Sequence, residues 1–386
     1  MSQQSSSANH IQTLDVLRGL AASLVVLDHV LLTISGFDAE KETALTTEWW
    51  GRNIFLGAFA VTLFFVVSGT SLSLSAFSKS GGFNARSFFI RRFFRLYPLY
   101  VLVILIGFCL RPLYTTYVGW GIASFQTWLG FEQFGRPATA TVWLTHLTLT
   151  FNLFQVPANF DSAIWTLPVE VQFYLLFPIM LFLLQLGRRR GLLLFALFLG
   201  VIHVLSFVDS PSFMALLRAW EFGGGVLIGM YWRQIAALMR RPRVRLLAIV
   251  AALILFEVSR VPMTLPLIPD NLLEVFFCFL VVALALSFAN WQPQGRPGQL
   301  LVNIGNWSYS LYLIHALVIA ALTPLLHALN LSPFFYFIVA FPSVYVLSLF
   351  ISRFLYNRFE RPFIRLGARY ARPRPLQAIP AVPNLP

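Results

Sequence analysis

The sequence predicts an all-α polytopic membrane protein, with about ten transmembrane helices and both termini cytoplasmic, on three observations. Of its 386 residues, 58% are hydrophobic and only 11% are charged, against about a quarter charged in a soluble domain. The apolar residues gather into windows near the roughly 20 residues that cross hydrocarbon. The Lys and Arg residues collect in alternate loops, as cytoplasmic loops do.

Ten windows read as spans, at roughly 14–34, 53–77, 93–111, 165–186, 191–208, 214–232, 246–260, 271–289, 305–327 and 333–356. With the N-terminus in the cytosol, 21 of the 28 Lys and Arg fall on the cytoplasmic side, in 79–95, 188–190, 233–245 and 353–374 and at Arg296. The opposite side receives Lys41, Arg52, Arg111, Arg136 and Arg260, while Arg18 and Arg218 lie at or within spans. The segment TVWLTHLTLTFNLFQV (141–156) is short and polar for a span. Counting it would turn GRRRG and RRPRVR outward, so it is expected to be interfacial or re-entrant.

These boundaries divide the chain into a polar N-terminal segment, 1–13, a transmembrane domain, 14–366, and a Pro-rich cytoplasmic tail, 367–386, expected to be disordered. The opening MSQQSSSANHIQ has no basic n-region or cleavage site, so the first span is expected to be retained. No internal repeat suggests the inverted halves of many transporters.

Several chemistries are set aside. Cys109 and Cys278 each sit in an apolar run, which argues against a disulfide framework or a Cys-based metal site. The six His are scattered without metal-ligand spacing, and neither a Walker loop nor a dinucleotide fingerprint occurs. The net charge of +13 is accounted for by membrane-flanking loops, so no nucleic-acid partner is expected. Neither a metal nor a tightly bound cofactor is expected.

The first window, LDVLRGLAASLVVLDHV, nevertheless holds Asp15, Arg18, Asp28 and His29. Eleven residues are almost three helical turns, so Arg18 and His29 share a face about 16 Å apart. Asp15, Ala22 and Val25 or Val26 fall near the same stripe. Asp28 points about 100° away from His29. Ionisable groups in a span usually face a bundle interior or a wet cavity. Arg18, near the span's end, either snorkels to the surface or faces such a cavity. Desolvation keeps a buried imidazole neutral, as a general base must be, and an arginine at the cytosolic mouth of the same seam binds phosphate at any pH.

RRFFRLYP (91–98) places Arg92 and Arg95 on one helical face, either as a positive-inside anchor or, beside Arg18, as a pyrophosphate site. IWTLPVEVQFYLLFP (164–178) sets Glu170 and Tyr174 one turn apart, with Glu170 read as near the external face. A carboxylate there orients a histidine, receives a proton, or is paired structurally. FFVVSGTSLSLS (64–75) carries Ser68 and Gly69 in mid-span, a pattern of close helix packing. In WEFGGGVLIG (220–229), Glu221 is a candidate for a hinge or cavity wall, and in NWSYSLYLIH (306–315) His315 reads as a hydrogen-bonded core residue rather than a second base.

Taken in order, these motifs resemble the acyltransferase 3 family of membrane-bound O-acyltransferases, over residues 14 to about 366. LDVLRGLAASLVVLDH is similar to the family's opening helix, with Arg18 and His29 as its basic residue and histidine. FFVVSGTSLS, RRFFRLYP, WTLPVEVQFYLLFP, WSYSLYLIH and FERPFIRL resemble its later blocks, placing Arg92, Arg95, Glu170, His315 and Glu360. The chain departs from them at Thr70, Thr166, Pro168 and Val171.

The resemblance implies an acyl-CoA donor, in the first instance acetyl-CoA, with its phosphates on Arg18, Arg92 and Arg95. His29 would activate an acceptor hydroxyl or carry the acyl group itself, with Glu170 in a catalytic role. Asp15, Ser68, Tyr174, Glu221 and His315 are supporting or acceptor-side candidates. The implied acceptor is a cell-surface glycan, a lipid-linked saccharide or a small molecule. Some relatives carry a fused hydrolase-like domain, which here would have to be a separate partner outside the cytoplasm. The rival expectation is a transporter or flippase whose Arg18, His29, Glu170 and Glu221 line a path.

Overall fold

A computed structural model describes residues 11–34, 56–77, 82–113, 116, 137–205, 218–260 and 271–372. Most of the N-terminal segment, the tail beyond 372, and Lys41, Arg52, Lys79 and Arg136 of the charge count lie outside the described residues.

All regular structure among the described residues is helical. The elements run α1 (Gln12–Ile34), α2 (Gly57–Phe77), α3 (Ala85–Cys109), a short α4 (Ala140–Leu147), a 3-10 turn (Ser162–Trp165) leading into α5 (Thr166–Gln185), α6 (Arg188–Leu205), α7 (Ala219–Met230), α8 (Trp232–Met239), α9 (Pro242–Ser259), α10 (Leu272–Leu286), α11 (Gly295–His327), α12 (Pro333–Leu355), a π turn (Tyr356–Glu360) and α13 (Arg361–Tyr370).

A helix stands at each predicted span position. Six stretches are long and apolar enough to cross a bilayer: Gln12–Ile34, Gly57–Phe77, Ala85–Leu113, Ser162–Gln185, Gly295–His327 and Pro333–Tyr370. Leu272–Leu286 is apolar but shorter. α6 and α9 begin with their arginines, Arg188 to Arg190 and Arg243 with Arg245, which shortens their apolar length. The outer helices leave large apolar side chains more than half exposed, among them Leu193 and Leu197 on α6, Leu247 and Leu253 on α9, and Phe350 and Phe354 on α12. So continuous an apolar exterior suits lipid rather than water.

The segment 141–156 is the eight-residue α4 followed by turns. At 1.5 Å per residue α4 is about 12 Å long, far short of a span. Its end is held to α3, where Tyr97 and Tyr100 donate hydrogen bonds to the carbonyls of Leu147 and His146 at 2.9 and 2.8 Å.

Close backbone approach sets the bundle's centre. α1 crosses α11 at Gly19 and Gly305, and a Cβ on Gly305 would lie 2.0 Å from the Asp15 carbonyl oxygen. α2 meets α7 through Gly69, Gly225 and Gly229, where an added Cβ would stand 2.2 to 2.4 Å from a facing carbonyl. Such small-residue contacts are how membrane helices approach without a hydrophobic driving force between them. The glycines of WEFGGGVLIG are thus a packing face. At the other end, α13 lies against the start of α3, with Gly367 over Phe94 and Ser87 donating to the Ala371 carbonyl at 2.5 Å.

Candidate active site

α1 carries Arg18 and His29, eleven positions apart, inward on the predicted face, Arg18 toward α2 and His29 toward α11. Arg18 is gripped on two sides. One terminal nitrogen donates to Asp15 Oδ1 at 2.8 Å, one turn back, and the other to Ser71 Oγ on α2 at 2.6 Å. Of the two alternatives for Arg18, it takes the inward one.

Around Arg18 seven elements converge on a cavity of about 230 Å³, with Gly305 and Asn306 of α11 and Ile364 of α13 in its wall. α1 contributes Asp15 and Arg18, α2 contributes Ser68 and Ser71, and α3 contributes Arg92 and Arg95. α5 contributes Glu170 and Tyr174, whose hydroxyl donates to Glu170 Oε1. The π turn contributes Tyr356 and Glu360. A π turn adds a residue to one helical turn and re-aims the side chains beyond it, and here it brings Glu360 inside at 2% exposure. Glu360 Oε2 accepts from Ser310 Oγ at 2.7 Å, while Oε1 is buried with no hydrogen-bond partner.

Arg92 lies over the Phe88 and Tyr174 rings, 5.7 and 5.6 Å from their centroids, with a buried Nε that has no hydrogen-bond partner. Neither Arg92 nor Arg95 has a carboxylate within ion-pair distance among the described residues. Both guanidinium groups therefore face the cavity with binding capacity in hand.

A second, narrower cavity of about 80 Å³ shares Arg18, Ser68, Arg95 and Glu170 with the first. It continues between Phe64, Phe65 and Leu167 to Thr166 and Tyr312. The Thr166 hydroxyl donates to the Tyr312 oxygen at 3.1 Å, which leaves the Tyr312 proton for a further acceptor. The Tyr312 ring is 5.8 Å from that of His315, and His315 stacks on His29 with ring centroids 4.9 Å apart.

His29 Nδ1 and His315 Nε2 are 2.9 Å apart, and His315 Nδ1 is 3.2 Å from the Leu311 carbonyl oxygen. That carbonyl only accepts, so His315 carries its proton on Nδ1 and accepts at Nε2. His29 must then donate from Nδ1, which makes its Nε2 the nitrogen bearing the lone pair. A fully buried second imidazole thus sets the tautomer of the first.

Several expectations are corrected. Glu170, read as near the external face, lines the same cavity as Arg92 and Arg95. Depth counted along one helix does not reveal which side chains of other helices reach across, and arginines are the longest of these. Glu221 lines neither cavity. It accepts from Arg218 and Asn271, both at 2.7 Å, in a separate cluster with Thr62 and Glu274. His315 is a hydrogen-bonded core residue as read, but its partner is His29 itself. The open path does not follow the α1 seam, where Ala22, Val25 and Val26 are packed to 2% exposure or less; it runs along α2 and α11 and stops at Tyr312. Ser71, Tyr312 and Tyr356 were not among the candidates. For Ser71 a signal was available, since it lies one turn from Ser68.

A helical bundle with an apolar exterior, enclosing cations, carboxylates and a paired imidazole, defines a multi-pass membrane protein with chemistry inside its bundle. The chain belongs to the acyltransferase 3 family: the family profile described as an acyltransferase domain matches residues 11–353. It is an acyltransferase of the kind that transfers groups other than aminoacyl.

The chain is 25% identical to Nodulation protein 10 of Rhizobium leguminosarum bv. viciae over 82% of its own length and 85% of that protein. It is 27% identical to Acyltransferase MdmB of Streptomyces mycarofaciens over 80% of its own length and 79% of that protein. It is 26% identical to the Peptidoglycan O-acetyltransferase OatA of Listeria monocytogenes over 52% of its own length and 29% of that protein. No solved structure is significantly similar.

Proposed function

We propose that this protein moves an acyl group, in the first instance acetyl, from acyl-CoA to a hydroxyl of a cell-surface glycan, a lipid-linked saccharide or a small molecule. The observation that carries it is the hydrogen-bonded series Leu311 carbonyl, His315, His29, which puts the lone pair of His29 on Nε2, beside a path that begins among three arginines and ends at Tyr312, whose ring is 5.8 Å from that of His315. The acetyl group and the glycan acceptor are supported by the name of the Listeria relative.

The protein crosses the membrane ten times with both termini in the cytosol, and sits in the inner or plasma membrane. The charge asymmetry of its loops supports that topology. The donor approaches from the cytosolic side, with Arg92 and Arg95 on its phosphates and Arg18 held ready by Asp15 and Ser71. The acceptor reaches His29 from the opposite face or the bilayer.

His29 Nε2 takes the proton of the acceptor hydroxyl as its oxygen attacks the thioester carbonyl. Charge collects on the carbonyl oxygen, where the Tyr312 proton is placed to meet it. The carbon–sulfur bond then breaks and the leaving thiolate takes the proton back from His29, giving an ester and free CoA. In the alternative order His29 attacks first and passes the acyl group on. Glu170, tied to Tyr174 and facing the arginines, positions the donor end of the path.

Protein reconstituted in lipid separates these readings from the rival. An acyltransferase releases free CoA from acetyl-CoA in an acceptor-dependent way. A flippase moves substrate without consuming thioester, and that result would overturn the proposal.

A further inference from the structure

The cavity around Arg18, at about 230 Å³, is smaller than the roughly 300–1,000 Å³ of a pocket that encloses a drug-sized ligand. A nucleotide thioester is larger than such a ligand. Part of the proposed donor must therefore lie outside this cavity, and the adjoining space decides where.

A groove of about 700 Å³ opens between the start of α11 and the end of α12, and it shares Asn306 and Tyr356 with the inner cavity. Arg296, Arg353 and Arg361 line it, and no Asp or Glu does. The inner cavity differs in kind: its three arginines face three carboxylates, Asp15, Glu170 and Glu360. The inner site is formally neutral and the groove carries three uncompensated positive charges. Arg353 also lies over the Trp307 ring, 5.9 Å from its centroid, in the groove wall. A guanidinium on an indole is a planar platform on which a purine can stack. The opening on the other side of Arg92, beside Arg91, holds only about 20 Å³.

We propose that this outer groove is the nucleotide subsite, with the adenine against Trp307 and Arg353 and the ribose 3′-phosphate on Arg296 and Arg361. The diphosphate crosses beside Asn306 and Tyr356 to Arg92 and Arg95, and the pantetheine arm continues into the inner cavity. The inference rests on the reading that the donor is a CoA thioester, and it adds a place where that donor is distinguished from simpler thioesters.

The test uses the full-length protein in phosphatidylcholine nanodiscs and needs no acceptor. Binding of radiolabelled acetyl-CoA is competed with acetyl-dephospho-CoA and with S-acetyl-pantetheine, for the unaltered protein, for Arg296→Gln combined with Arg361→Gln, and for Trp307→Leu. The expected result is at least a tenfold weaker affinity for acetyl-CoA in both variants, with competition by S-acetyl-pantetheine unchanged. That unchanged competition also shows that the variants are folded. The double variant should also lose the discrimination between acetyl-CoA and its dephospho form. Acetyl-CoA binding unchanged in the variants, or all three thioesters weakened alike, overturns the groove while leaving the donor reading intact. A loss seen only after phosphatidylglycerol is added assigns the groove to lipid headgroups and overturns it too. No acetyl-CoA binding by the unaltered protein overturns the donor reading itself.

Discussion

His315 donates to a backbone carbonyl through Nδ1 and receives His29 through Nε2, so its function is separable from mere packing. His29→Ala should abolish acyl transfer with membrane insertion intact, measured as acceptor-dependent CoA release beside membrane fractionation; retained transfer would remove His29 from the chemistry. His315→Ala frees His29 to adopt either tautomer. It should lower kcat by about 10²-fold, the scale of a general-base contribution, and alter the pH dependence of kcat, while His315→Asn or Gln recovers part of the loss. An unchanged pH profile would leave His315 a packing residue. Tyr312→Phe removes the proton proposed to meet the developing oxyanion. Loss of one such donor costs roughly 2.7–4 kcal/mol in the transition state, so kcat should fall about 10²- to 10³-fold with little change in KM. A change confined to KM would place Tyr312 in binding instead.

Among elements, the crossing of α1 on α11 governs everything at the site, because α1 carries Arg18 and His29 and α11 carries Tyr312 and His315. Their backbones meet at Gly19 and Gly305, where a Cβ on Gly305 would overlap the Asp15 carbonyl. Gly305→Val must push the helices apart, so thermal unfolding in detergent should begin several degrees lower and CoA release should fall. Gly200→Ala is the control, since nothing lies within 4 Å of the added carbon. Equal stability of the two variants would contradict the crossing. The π turn has a comparable role at the arginine end of the site, where it brings Tyr356 and Glu360 to the cavity of Arg18, Arg92 and Arg95. The recurrence of long apolar helices was legible because lipid imposes a length on each span, and six stretches of the described residues reach it. The π turn was not, because one extra residue in a helical run leaves no mark in composition.

For the whole molecule, charge and apolar length together govern orientation. Single-cysteine labelling should place residues 188–190, 240–245 and 361–369 on the cytosolic side and the α4 region opposite. Labelling of GRRRG from outside the cell would invert the topology and require 141–156 to be a span, which the eight residues of α4 contradict. The apolar exterior of α6, α9 and α12 also means that activity should depend on bilayer or detergent, with inactivation on delipidation.

Periodicity on a single helix is a local property, so the sequence alone determined that Arg18 and His29 share a face, that Arg92 and Arg95 pair on another, and that the chain crosses lipid repeatedly. Its ordered motifs also led to the acyltransferase 3 family. Which helices face one another is a matter of backbone approach between distant segments, and only the tertiary structure decided it. Two glycines 286 residues apart bring His315 to His29, Glu170 moves from an expected outer position to the arginine cavity, and Glu221 is removed to a separate cluster. Side-chain reach between helices is invisible to a count along any one of them, and that reach is what assembles the site.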